Sequence, residues 1–109
     1  MKNAIFGFIL GLCSLEAFAY TDDPRKLFPA NQNSASEALI AWRTANNVQA
    51  ECEAESKKRG IGGFGYSVAA CSFWSKSGSY SVCTIITAKS VDLTTLGHET
   101  RHCFQGGFH

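Results

Sequence analysis

Residues 66–89 read YSVAACSFWSKSGSYSVCTIITAK. Two runs within it, Tyr66–Trp74 and Tyr80–Lys89, are rich in β-branched and aromatic residues, and a short stretch of serine, lysine and glycine separates them. Runs of this kind on either side of a turn-forming stretch predict an antiparallel β-hairpin.

The segment before the hairpin carries a helical pattern. Ser34 and Glu37 fit a capping box, in which the two residues satisfy each other's backbone N–H groups. Apolar residues then recur at spacings of three or four, as on one face of a helix: Leu39, Trp42, Ala45, Val48 and Cys52. Gly60 ends the pattern, so we expect a supporting helix between Ser34 and Gly60. Residues 20–33 hold both prolines and show no periodicity, which predicts an extended N-terminal arm.

A second helix is expected after the hairpin. Asp92 and Thr94 are its candidate N-caps, and it runs through about Phe104, before the glycine pair at 106–107. The predicted order of helix, hairpin and helix is typical of a small α+β domain, which we expect to span residues 34–109.

The first nineteen residues have the pattern of a signal peptide. Lys2 is followed by the apolar run Ile5–Leu15 and then by a small-x-small site that ends at Ala19. The apolar run is too short to cross a bilayer as a helix. We therefore expect cleavage after Ala19, no stable membrane anchor in the mature chain, and a secreted or periplasmic location. Cys13 leaves with the signal peptide.

Four cysteines remain, and an even number in an oxidising compartment predicts two disulfides. Three connectivities are possible. Centring the hairpin turn on Ser77 places Cys71 opposite Cys83, which favours a disulfide between neighbouring strands. By elimination, Cys52 then joins Cys103 and ties the first helix to the last.

The last helix carries the motif HExxH in His98, Glu99 and His102. Positions i and i+4 share a helix face, so both imidazoles can bind one Zn²⁺ from the same side. Glu99 is close enough to reach a zinc-bound water and to take its proton during attack on a peptide carbonyl. The motif therefore predicts a metal site with Glu99 as the catalytic general base.

In these three residues, and in the expected order of supporting helix, strands and motif helix, the chain resembles the zincin metallopeptidases. In the metzincin branch a glycine turn brings back a third histidine. Here His109 comes one position later than in that branch, and Gln105 stands at the usual glycine position. The resemblance implies a minimal zincin-like metallopeptidase that acts on a peptide or protein, with His109 as the third zinc ligand.

Alternatives remain open at this stage. Asp92, Glu99, Cys103 or the C-terminal carboxylate of His109 could complete the zinc site instead of the His109 imidazole. The Tyr80–Lys89 strand could hold an extended peptide by strand addition if it is a sheet edge. The rival functions are a non-catalytic periplasmic zinc-binding module, which needs the histidines but not Glu99, and a disulfide-stapled interaction module without metal.

The composition excludes other classes. The formal net charge is only +1, which gives no support to a nucleic-acid binder. Residues 60–65 match G-x-G-x-x-G, but a predicted helix precedes them and a strand follows them. A dinucleotide site needs the reverse order, so this segment predicts a turn.

Overall fold

The computed structural model describes residues 34–107. The predicted signal peptide at 1–19 and the arm at 20–33 lie outside the described residues. The described part holds three strands and two helices, in the order β1 (Glu37–Ala45), α1 (Val48–Lys58), β2 (Cys71–Ser77), β3 (Tyr80–Ala88) and α2 (Leu93–Gln105). The predicted α+β class is confirmed. No helix in this part of the chain is long and apolar enough to cross a membrane.

The three strands form one mixed sheet in the order β1-β3-β2. β2 and β3 pair antiparallel, which confirms the predicted hairpin, and β1 pairs parallel to β3. β3 is therefore the central strand. The first strand of the hairpin is Cys71–Ser77, which begins and ends later than the predicted run Tyr66–Trp74. Strand addition at Tyr80–Lys89 required this strand to be a sheet edge, and the condition is not met, because β1 and β2 are the edges of the described sheet.

β1 corrects the first half of the predicted supporting helix. Ser34 and Glu37 form no capping box, since Glu37 begins a strand that pairs with β3 over nine positions. Ala38 and Ile40 are partly buried, whereas Leu39 between them is exposed, which is the alternation of a strand. Non-local pairing has overridden the helical spacing of the apolar residues.

The second half of the predicted helix is confirmed as α1. The side chain of Asn47 caps it by accepting a hydrogen bond from the backbone N–H of Ala50 at 3.0 Å. Cys52 is fully buried against the sheet. The glycines after the helix hold a turn, and Gly60 has a φ of 77° that suits glycine.

The hairpin turn is tighter than expected. Ser77 pairs with Tyr80 directly across a two-residue turn in which Gly78 has a φ of 62°. The register therefore differs by three residues from one centred on Ser77. As a result Cys71 lies opposite Ile86, and Cys83 lies opposite Trp74.

The new register explains the disulfides, which are not the predicted pairs. Neither Cys71–Cys83 nor Cys52–Cys103 forms; the observed bonds are Cys52–Cys71 and Cys83–Cys103. Cys71 and Cys83 lie on opposite faces of the sheet, because an odd shift in register moves every side chain to the other face. Each disulfide thus joins one helix to one face, and the two crosslinks fit a protein exported to an oxidising compartment.

Two small cores follow from this arrangement. One lies between α1 and the sheet and contains Cys52, Cys71, Phe73 and Ile86 together with Phe64, Val68 and Ala45. The other lies between α2 and the opposite face and contains Cys83, Ile85 and Cys103, with Leu96 and Phe104 packed against them.

An ion-pair cluster ties α1 to the edge strand. The Glu55 carboxylate accepts hydrogen bonds from Arg59 at 2.6 Å and from Arg43 on β1 at 3.0 Å. The bond from Arg59, with the second guanidinium, outweighs the cost of burial and lowers the pKa of Glu55. The cluster holds the Arg43 guanidinium in place at the edge of the sheet.

Candidate metal centre

α2 carries the HExxH motif; it begins after the predicted cap Asp92 and ends at Gln105, one residue beyond the expected end at about Phe104. Asp92 is the N-cap, and its carboxylate accepts a hydrogen bond from the backbone N–H of Thr95 at 2.6 Å. This bond lowers the pKa of Asp92. Gly106 ends the helix with a φ of 65° and donates its N–H to the His102 carbonyl at 2.8 Å.

The structure brings the two motif histidines side by side. The ring centroids of His98 and His102 are 5.0 Å apart, with the planes at 84° in an edge-to-face arrangement. His102 is 1% exposed, while His98 is partly exposed. The helical spacing thus gives two neighbouring imidazoles, one reaching the surface and one held in the protein.

Two residues hold the His102 ring. Its face stacks on the indole of Trp74, with centroids 5.0 Å apart and planes at 4°. Its Nδ1 lies 2.7 Å from the Gly106 carbonyl oxygen. A carbonyl only accepts, so Nδ1 carries the proton in this bond, and in the neutral ring the lone pair lies on Nε2.

Glu99 lies between α2 and β2. It is fully buried, and its Oε1 accepts a hydrogen bond from the Ser72 hydroxyl at 2.8 Å. Ser72 and Trp74 alternate along β2, so both face α2. The edge strand therefore supplies one contact to the motif glutamate and one to a motif histidine.

The structure describes some of the candidate third zinc ligands and not others. Cys103 is bonded to Cys83 and is not a thiolate ligand. Asp92 caps the helix, and its carboxylate accepts a hydrogen bond from Thr95 at the start of α2. His109 lies outside the described residues. Within residues 34–107 no group of three or more His, Cys, Asp or Glu side chains is placed to hold a metal ion.

Sequence reasoning missed three residues of this site: Ser72, Trp74 and Gly106. The sequence could have placed Ser72 and Trp74 on one face of the hairpin, since residues two apart in a strand share a face. Which face they share depends on the hairpin register, and the expected register was wrong. Gly106 was expected to end the helix, and its carbonyl also fixes the His102 ring.

Replacing Gly106 with alanine is expected to destabilise the fold and loosen His102. Its φ of 65° strains any L side chain, and a Cβ there would lie 3.3 Å from Trp74 Nε1. The cost is about 1–3 kcal/mol, measurable by thermal unfolding. Gly107→Ala is the matched control, because an added Cβ there meets nothing within 4 Å. Equal unfolding temperatures for the two variants would contradict this role for Gly106.

Comparison of the chain with protein-family models, curated proteins and solved structures finds no match.

Proposed function

We propose that the chain is an exported zinc-dependent hydrolase of peptide bonds. In this proposal His98 and His102 bind the metal, His109 is the third ligand, and Glu99 is the general base. The observation that carries it is the pair of adjacent imidazoles, one of which has its ring orientation and tautomer fixed by Gly106. These roles are the ones that the resemblance to the zincin metallopeptidases implies.

The residues present fit zinc. Imidazole nitrogen is among the ligands that zinc prefers. Metal-binding histidines usually donate their other ring N–H to a carbonyl or carboxylate, and His102 has this contact with Gly106. A histidine in this tautomer has the lone pair on Nε2, which is the form that coordinates a metal.

The chemistry follows from the roles of the residues. Zinc held by these residues would act as a Lewis acid and make water a nucleophile near neutral pH. Glu99 accepts the proton that the attacking water loses, and Ser72 orients the carboxylate through its hydrogen bond. Trp74 covers one face of the His102 ring and fixes its direction. We further propose that the substrate lies beside β2, the edge strand that carries these two contacts.

A second candidate is a non-catalytic zinc-binding module. The observation in its favour is that Glu99 is fully buried and bonded to Ser72, as a structural carboxylate would be. In that case the histidines hold the metal and Glu99 stabilises the packing of α2 on β2.

Export is part of both candidates. We propose that residues 1–19 are a signal peptide cleaved after Ala19, which agrees with the two disulfides in the described chain. N-terminal sequencing of the exported protein tests the cleavage site.

The experiment that tests the function joins two readouts on the oxidised protein: zinc per chain, and hydrolysis of a mixed peptide pool before and after chelation. We expect about one zinc per chain. We also expect that peptide hydrolysis stops when zinc is chelated and returns when zinc is added. Hydrolysis that survives complete removal of the metal would contradict the proposal.

A further inference from the structure

The outer edge of β1 pairs with no strand among the described residues. Among the described residues β1 pairs only with β3, and its nine positions run in register without a bulge. Edge strands are normally protected by proline, lysine, a bulge or short length. β1 has neither proline nor lysine, whereas the other edge, β2, is shorter and carries Lys76.

Large apolar side chains on β1 face solvent. Leu39 is 61% exposed and Trp42 is 51% exposed. The Trp42 Nε1 already donates to the Thr87 hydroxyl at 3.0 Å, so the one polar group of this side chain is bonded within the chain. The strand therefore combines an outer row of backbone groups, which pairs with no described strand, with apolar surface on both of its faces.

The sequence of β1 complements itself. In an antiparallel pairing of two β1 strands about a two-fold axis at Ile40, Glu37 of each copy lies opposite Arg43 of the other. The same register sets the large Trp42 opposite the small Ala38. Oppositely charged pairs directly across two strands stabilise a sheet.

The charged partners are suited to this pairing. Glu37 is exposed, and Arg43 is held at the edge by Glu55 at 3.0 Å and Glu51 at 3.6 Å. A guanidinium that is already positioned loses little side-chain entropy when it gains a further partner. Its planar fork has donors enough to serve more than one carboxylate.

We propose that the protein forms a two-fold symmetric dimer in which the β1 edges of two copies pair antiparallel, centred on Ile40. The two sheets then become one continuous sheet, and two Glu37–Arg43 ion pairs flank the axis. An interface of this kind is isologous, with the same strand used by both copies. Both motif helices remain on the face of their own sheet.

Sedimentation velocity of the oxidised protein, expressed from the full sequence, tests the dimer. We expect a mass twice that of one chain at high protein concentration, with dissociation on dilution. Glu37→Arg places like charges opposite each other twice and raises the dissociation constant about tenfold or more. Lys58→Glu, an exposed charge reversal away from β1, leaves the dimer unchanged.

A matched pair of lysine substitutions locates the interface. Leu39→Lys introduces a charge beside the axis in both copies and is expected to abolish the dimer. Val82 is 49% exposed and lies directly beside Leu39 on central β3, so Val82→Lys alters the same face without touching the edge. It is expected to leave the dimer intact.

Two results overturn the proposal. One is a single chain at every concentration up to the millimolar range. The other is a dimer that Val82→Lys abolishes and Leu39→Lys spares, which shows association through the sheet face. Circular dichroism of each variant verifies that it is folded, so that loss of the dimer is not loss of the fold.

Discussion

Glu99→Gln is expected to lower peptide hydrolysis by about 10²–10⁴-fold while leaving the zinc content unchanged. The glutamine amide has the shape of the carboxylate, and its carbonyl oxygen still accepts the hydrogen bond from Ser72. It cannot take a proton from water, so only the general-base step is lost. The measurement is the initial rate of peptide hydrolysis at equal zinc loading.

The variant also separates the two candidate functions. A general base predicts a lost rate with a retained metal, whereas a structural Glu99 predicts a metal-loaded protein with no hydrolysis even before the substitution. Ser72→Ala is the companion variant, because it keeps the carboxylate and removes only its buried partner. We expect it to retain part of the rate. Hydrolysis that is equal in the parent and in Glu99→Gln would contradict the role of Glu99.

Removal of the Cys83–Cys103 disulfide is expected to cost about 3 kcal/mol of unfolding free energy, since the bond closes a loop of moderate length. A domain of this size has a total stability of only a few kcal/mol, so the loss is a large part of it. The double variant Cys83→Ala with Cys103→Ala leaves no free thiol at this site. Denaturant unfolding under oxidising conditions measures the effect.

The other disulfide supplies the matched control. Cys52–Cys71 spans 19 residues and Cys83–Cys103 spans 20, so the chain-entropy cost of losing either is nearly the same. Only the second bond holds the motif helix to the sheet. We therefore expect similar losses of stability from the two double variants, with weaker zinc binding and faster amide exchange in α2 only when Cys83 and Cys103 are replaced. Equal amide exchange of α2 in the two double variants would contradict the role of Cys83–Cys103 in holding α2 to the sheet.

The parts of the fold that depend on local chemistry were predictable. α2 begins at the residue after Asp92 and ends at Gly106 because caps and glycine act within one turn of the helix. The motif residues followed from the same local spacing. α1 was also predictable from Val48 onward. Its start at Asn47, a preferred N-cap residue, was missed because the helical spacing of apolar residues extends further back along the chain.

The parts that depend on distant pairing were not predictable. The segment around Leu39 and Trp42 has helical spacing, and only the parallel pairing with β3 makes it a strand. The hairpin was identified, but its turn is at Gly78 and Ser79, and a shift of three residues reverses which face each side chain occupies. Because of the wrong register, Cys71 was assigned to Cys83 instead of Cys52. For the same reason the contact of Ser72 with Glu99 was not predicted.

Zinc content of the oxidised protein, measured by elemental mass spectrometry alongside His98→Ala and His109→Ala, decides whether α2 carries a metal site. We expect about one zinc per chain in the parent and its loss in both variants, each with its disulfides intact. Zinc that persists in His98→Ala, or a parent that takes up no zinc after refolding with the metal, would contradict the metal site.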